Sequence, residues 1–102
     1  MPSVFFSPRA SQDLDEIKQY IQTELNSPIA ARNKVLEILD AIDNLAIFPE
    51  IGPSLKGKVD TLMRYRALSV AGYIVFYRTE PDRVLVVRIL SSQMDYLKIL
   101  EL

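Results

Sequence analysis

The chain has 102 residues, 49% of them hydrophobic, and a net charge of −1, the size and polarity of one compact domain with a single core and no room for a separate regulatory one. Cysteine and histidine are both absent, which excludes disulfides, thiolate or imidazole metal sites and the usual general base at neutral pH. No apolar run approaches the roughly 20 residues that span a bilayer, and the start MPSVFFSPRA lacks the basic-then-apolar order of a signal peptide, so a cytoplasmic location without membrane contact is expected.

The opening SVFFS reads as a short strand ended by Ser7-Pro8. That pair is a helix start, with serine as N-cap and proline at the first helical position. Apolar residues then recur at Ala10, Leu14, Ile17, Ile21 and Leu25, one face of an amphipathic helix. Asp13, Asp15 and Glu16 fall near its positive end, where the dipole favours carboxylates, and Asp13 and Glu16 are expected on the solvent side. Ser27-Pro28 repeats the signal and opens a second helix with the apolar set Ala31, Val35, Ile38, Leu39, Ile42 and Leu45. A connection this short makes the pair an antiparallel helical hairpin. The second helix is expected to stop near Phe48, because Pro49 lacks a donor and restrains the residue before it.

Residues Pro49 to Lys58 read as a loop rich in Pro, Gly and Lys, followed by three β-type runs, Leu62 to Leu68, Tyr73 to Arg78 and Val84 to Leu90. Turn signals at Ala71-Gly72 and at Glu80-Pro81-Asp82-Arg83 make them an antiparallel meander. Arg64 and Arg66 alternate with Met63, Tyr65 and Ala67, so the first run is expected to show one apolar face and one arginine face. The hairpin would cover the apolar face and leave the arginines exposed. Ser92 with Asp95 resembles a capping box that opens a short C-terminal helix with Leu97 and Leu100 on one side. The fold class expected is thus α+β, ordered β-α-α-β-β-β with a short C-terminal helix, in one domain over residues 1–102.

Charge is uneven along the chain. From Met1 to Glu50 there are four basic residues against eight acidic ones, and from Ile51 to Leu102 eight basic against five acidic. The chain as a whole lacks the extended basic surface that gives salt-sensitive affinity for nucleic acid. What remains is a local cluster, Lys56, Lys58, Arg64, Arg66, Arg78, Arg83 and Arg88, which is either a set of solvated strand and turn residues or a patch facing a partner. Phosphate-binding, dinucleotide-binding and zinc-protease signatures are missing, and a serine triad is impossible without histidine. Tyr73, Phe76 and Tyr77 on one strand read first as core packing. No cofactor or metal is expected.

The segments DLDEIKQYI, FPEIGPSLKG, RYRALSVAGYIVFYR and VVRILSSQMDYLKIL, in this order and spacing, together resemble the RelE/ParE family, the toxins of bacterial type II toxin–antitoxin pairs, over about Phe6 to Leu100. The resemblance implies a helical hairpin against a small antiparallel sheet, growth arrest as the function, and a cognate antitoxin of ParD-like or RelB-like type in a hetero-oligomer. Members of the RelE type cleave messenger RNA on the ribosome, and for that activity Arg64 and Arg66 match the two basic positions on their strand. The next such position holds Tyr73, and the C-terminal segment offers only Tyr96 and Lys98 where an arginine or histidine is expected. A pI of 5.3 also argues against a ribosome-bound nuclease. Members of the ParE type bind DNA gyrase and are not enzymes, and the closing RILSSQMDYLKIL resembles these more. Ser91 departs from the histidine that many relatives carry after the last strand. A member without toxicity, acting only as an antitoxin-binding module, is the third possibility. Antitoxin contacts are then expected at Leu14, Ile17 and Ile21 in a groove and at Arg64, Arg66 and Arg88 against carboxylates. Target contacts are expected at Met94, Asp95, Tyr96, Leu97 and Leu100, on a C-terminal segment dispensable for the core.

Overall fold

Both serine–proline pairs start helices. The Ser7 hydroxyl accepts from the Ala10 N–H at 3.0 Å and that of Ser27 from the Ala30 N–H at 3.3 Å, each satisfying a donor that a helix start leaves unpaired. The computed structural model describes residues 3–55, 64–95 and 98–99. In it the helices are α1 (Pro8–Leu25) and α2 (Pro28–Asp43), joined through Asn26 in the left-handed conformation at φ 46°. A single 3-10 turn, Asn44–Ala46, carries the chain on from α2. The stripes expected from periodicity face inward: Ala10, Leu14, Ile17 and Ile21 on α1, and Ala31, Ile38, Ile42 and Leu45 from α2 and its turn, are all buried.

The sheet has the strands β1 (Ser3–Phe6), β2 (Arg66–Val70), β3 (Tyr73–Glu80) and β4 (Arg83–Ser91) in the order β1-β4-β3-β2. The last three form the antiparallel meander, and β1 lies parallel to β4 from Ser3 beside Arg83 to Phe6 beside Val86. Of the first meander strand expected over Leu62 to Leu68, Leu62 and Met63 lie outside the described residues, and the strand that is described runs from Arg66 to Val70. Ala71 and Gly72 both take positive φ, 52° and 84°, the twist of a two-residue hairpin turn. Pairing therefore continues to Val70 beside Tyr73. Arg64 falls in a turn ahead of the strand, so Arg64 and Arg66 do not share a strand face.

Nor is the far side of the sheet an open arginine face. Alternate residues of β3 point to opposite sides. Tyr73, Val75 and Tyr77 join the helices in one core, while Ile74 and Phe76 form a second with Leu55 and Leu90, covered by Tyr65, Val87 and Ile99. Ile99 packs, partly buried, against this second cluster, so the C-terminal segment expected to be dispensable for the core does touch it. Of the helix expected there, Lys98 and Ile99 are helical and the Ile99 N–H donates to the Asp95 carbonyl. Tyr96, Leu97 and Leu100 lie outside the described residues.

The stretch after α2 is bound to the sheet edge. The Leu55 N–H donates to Tyr65 and the Ala67 N–H to Pro53. The buried Tyr77 hydroxyl accepts from the Gly52 N–H at 2.9 Å, and Arg66 donates to the carbonyls of Gly52 and Glu50 at 2.9 and 3.3 Å. Only glycine fits at position 52, since a Cβ there would stand 2.8 Å from the Tyr77 hydroxyl and 3.1 Å from the Ala67 carbonyl carbon.

Two outcomes follow for stability. Tyr77→Phe leaves a buried N–H without an acceptor and should cost about 1–3 kcal/mol. Gly52→Ala overpacks the same spot and should cost about as much. Urea denaturation measures both. Burial also pushes the Tyr77 and Tyr73 phenols above their ordinary value of 10.0. A raised folded-state pKa means that the neutral form is favoured on folding, so this contribution is complete below about pH 10 and is lost as pH rises beyond it. The urea midpoint of the wild type should fall more steeply above about pH 10 than that of Tyr77→Phe; parallel curves would contradict the assignment.

Candidate functional site

Beyond Phe6 no strand among the described residues lies beside this edge of β4, and α1 with its N-cap Ser7 supplies partners there. The Ser7 hydroxyl donates to the Val87 carbonyl at 3.0 Å, and Asp13 Oδ2 accepts the Ile89 N–H at 3.0 Å. The same carboxylate takes Arg88 in a two-pronged pair, Nε to Oδ2 at 2.8 Å and Nη2 to Oδ1 at 3.2 Å. Arg9, one helical turn earlier, approaches to 3.7 Å. Asp13 is 4% exposed, which corrects its expected place on the solvent side. The position of Arg88 depends on a bulge: Phe76 pairs with Arg88 but Tyr77 with Val86, leaving Val87 as the extra residue. The bulge resets the alternation, so that Val86 and Ile89 both face the helices while Arg88 reaches α1.

Over this pair lies a cleft of about 450 Å³ between α1 and the end of β4, walled by Ile17, Tyr20, Tyr73, Leu90 and Met94, with Arg9 and Glu16 at its polar side. Burial, and then the neighbouring Tyr20, hold the Tyr73 phenol above the usual range, so it stays protonated at neutral pH and cannot act as a base there. The charges at the floor of the cleft neutralise each other. The cleft thus has apolar walls over a charge-paired floor.

The residues singled out from sequence are dispersed. Leu14, Ile17 and Ile21 belong to the core at 9, 8 and 3% exposure, so they do not form the open groove expected of them; Ile17 alone also touches the cleft. Arg88 is paired within the chain and is not free for an antitoxin carboxylate. Arg66 is tied to the loop carbonyls. Arg64 is exposed and lines a different, polar cleft with Arg78, Thr79, Glu80 and Pro81. There Glu80 meets Arg83 at 2.5 Å and Arg78 at 3.4 Å, and the Arg83 hydrogen bond holds its carboxyl below the usual range. Met94 is half exposed and lines the α1–β4 cleft, and Asp95 and Lys98 are exposed. Sequence reading missed the roles of Asp13, Tyr77 and Gly52. An aspartate flanking an apolar stripe was the available signal for the first.

Residues 4–96 match the family model described as the ParE toxin of type II toxin–antitoxin systems, parDE. The chain is 30% identical over 92 residues to "Toxin RelE3" of Caulobacter vibrioides, covering 90% of this chain and 96% of that one. Among solved structures, a chain of a chromosomal ParDE toxin–antitoxin system of P. aeruginosa superposes with a TM-score of 0.72 at 22% identity, over 89% of this chain and 96% of that chain. A conserved hypothetical protein of Helicobacter pylori does so at 0.54 and 19%, over 90% and 96%. At these identities the two structures establish a shared fold.

Removing one partner of the buried pair should be far worse than removing both. Asp13→Ala leaves Arg88 and the Ile89 N–H uncompensated and should cost about 3–5 kcal/mol. The combination Asp13→Leu with Arg88→Met should recover part of that loss. Equal denaturation midpoints for Asp13→Ala and the wild type would show the pair to be idle.

Proposed function

The chain belongs to the ParE toxin family of type II toxin–antitoxin systems, and from that premise we propose that it arrests growth by binding DNA gyrase and is neutralised when a cognate antitoxin covers its helical hairpin. The observation that supports a binding inhibitor over a ribonuclease is the commitment of Arg66 to the Glu50 and Gly52 carbonyls. Cleavage of RNA needs cations free to meet the charge that develops on the phosphate. Arg66 is engaged, and Arg64 stands apart in the polar cleft beside Arg78 and Glu80. Tyr73, where a basic residue would serve the nuclease, is a neutral wall of the α1–β4 cleft.

For the antitoxin, the hairpin offers a groove of about 460 Å³ lined by Lys18, Ala31, Arg32, Val35 and Leu36 among others. Exposed Leu25, Ile29 and Leu36 add apolar surface nearby. A groove of this kind suits an amphipathic segment that orders on binding. These surfaces take the place of Leu14 and Ile21, which the core occupies.

The Caulobacter relative carries a RelE name, so transcript cleavage is the reading that the test has to separate. Induction without antitoxin should produce filamentous cells, an induced DNA-damage response and intact messenger RNA. Codon-specific transcript cleavage in cells with undamaged DNA would overturn the gyrase reading.

A further inference from the structure

From Val35 to Leu55 the chain carries four carboxylates, Glu37, Asp40, Asp43 and Glu50, and neither lysine nor arginine. All four are exposed. In the midst of them Ile47, Phe48 and Ile51 stand 55, 59 and 57% exposed. Single exposed apolar residues are ordinary, but three large ones within five positions form a patch that marks a contact surface.

The backbone under this patch is fixed. The N–H groups of Ile47 and Phe48 both donate to the Asn44 carbonyl, at 3.0 and 2.8 Å, and that of Ile51 to Phe48 at 3.2 Å. Arg66 grips the Glu50 and Gly52 carbonyls, and Tyr77 holds the Gly52 N–H. A segment held at both ends has little freedom left to lose on binding. The segment therefore holds three exposed apolar side chains in place, with the exposed carboxylates of Asp43 and Glu50 close by in sequence.

We propose that Ile47, Phe48 and Ile51 form the wedge by which this toxin grips its protein target, entering an apolar cleft whose rim carries lysine and arginine. Charge complementarity selects that occupant. The segment's four carboxylates outnumber the Arg66 guanidinium bound to it, so its net charge disfavours phosphate and an acidic partner and steers the wedge toward a basic rim. Proteins that hold DNA present basic surfaces of this kind, which accords with the gyrase reading. The inference rests on that reading only in taking the target to be a protein.

The test compares the wild-type full chain with two variants, Phe48→Ser with Ile51→Ser and Asp43→Lys with Glu50→Lys, in a gyrase supercoiling assay and in growth after induction. The expected result is inhibition at least tenfold weaker in both variants, loss of growth arrest, and melting curves like that of the wild type. Wild-type inhibition should also weaken as salt rises, because exposed charges are screened. If the wild type spares gyrase yet stops growth, and both variants are harmless, the gyrase reading falls and the wedge stands. If the serine variant fails to fold, the lysine variant, which alters only exposed carboxylates, decides. Variants that inhibit and arrest growth as the wild type does would overturn the wedge, and a wild type that does neither overturns both readings.

Discussion

The seating of α1 on the sheet depends on the carboxylate of Asp13. A charge so enclosed is costly unless donors surround it, and here it receives two bonds from Arg88 and one from the Ile89 N–H. These donors come from β4 just where β1 has ended and, among the described residues, no other strand lies on that side. The carboxylate thus serves as a short substitute for a strand. It also fixes the rotation of α1, so that Leu14, Ile17 and Ile21 turn inward. The α1–β4 cleft is the space left above that contact.

A second polar device acts on the next strand. Tyr77 reaches through the core to the Gly52 N–H, and Arg66 takes two carbonyls of the same segment. Arg66, which a catalytic reading would enlist, is in this way engaged by the fold, whereas Arg64 and Lys98 stay exposed. Among the described residues the exposed apolar surfaces include a groove on the hairpin, the apolar-walled α1–β4 cleft and the Ile47–Phe48–Ile51 patch. Surfaces of that kind suit recognition of proteins, which is what the proposed binding mechanism requires.

Much of the fold was legible because local chemistry dictates it. Ser7-Pro8 and Ser27-Pro28 set both helix starts, and Ala71-Gly72 and Pro81-Asp82 set both hairpin turns. The family was legible too, since the order of weak segments adds up over the whole chain. What sequence could not supply was long-range pairing. Asp13 and Arg88 are 75 positions apart, and nothing local distinguishes Asp13 from its exposed neighbours Asp15 and Glu16. The same holds for Arg64 and Arg66: alternation put them on one strand, but the strand begins at Arg66, where the loop bound to its edge has already claimed that side chain. Of the candidate site, Ile17, Tyr73, Arg88 and Met94 converge on one cleft, a grouping made by the bulge at Val87, which leaves no mark in composition or periodicity.

Native-state hydrogen exchange at the Ile89 amide tests this account most directly. Held by a buried carboxylate, that amide should exchange only through global unfolding, as the amides within the β3–β4 ladder do. Exchange at the rate of an open sheet edge would show that Asp13 does not hold β4, and the arrangement of α1, the core and the cleft would need another explanation.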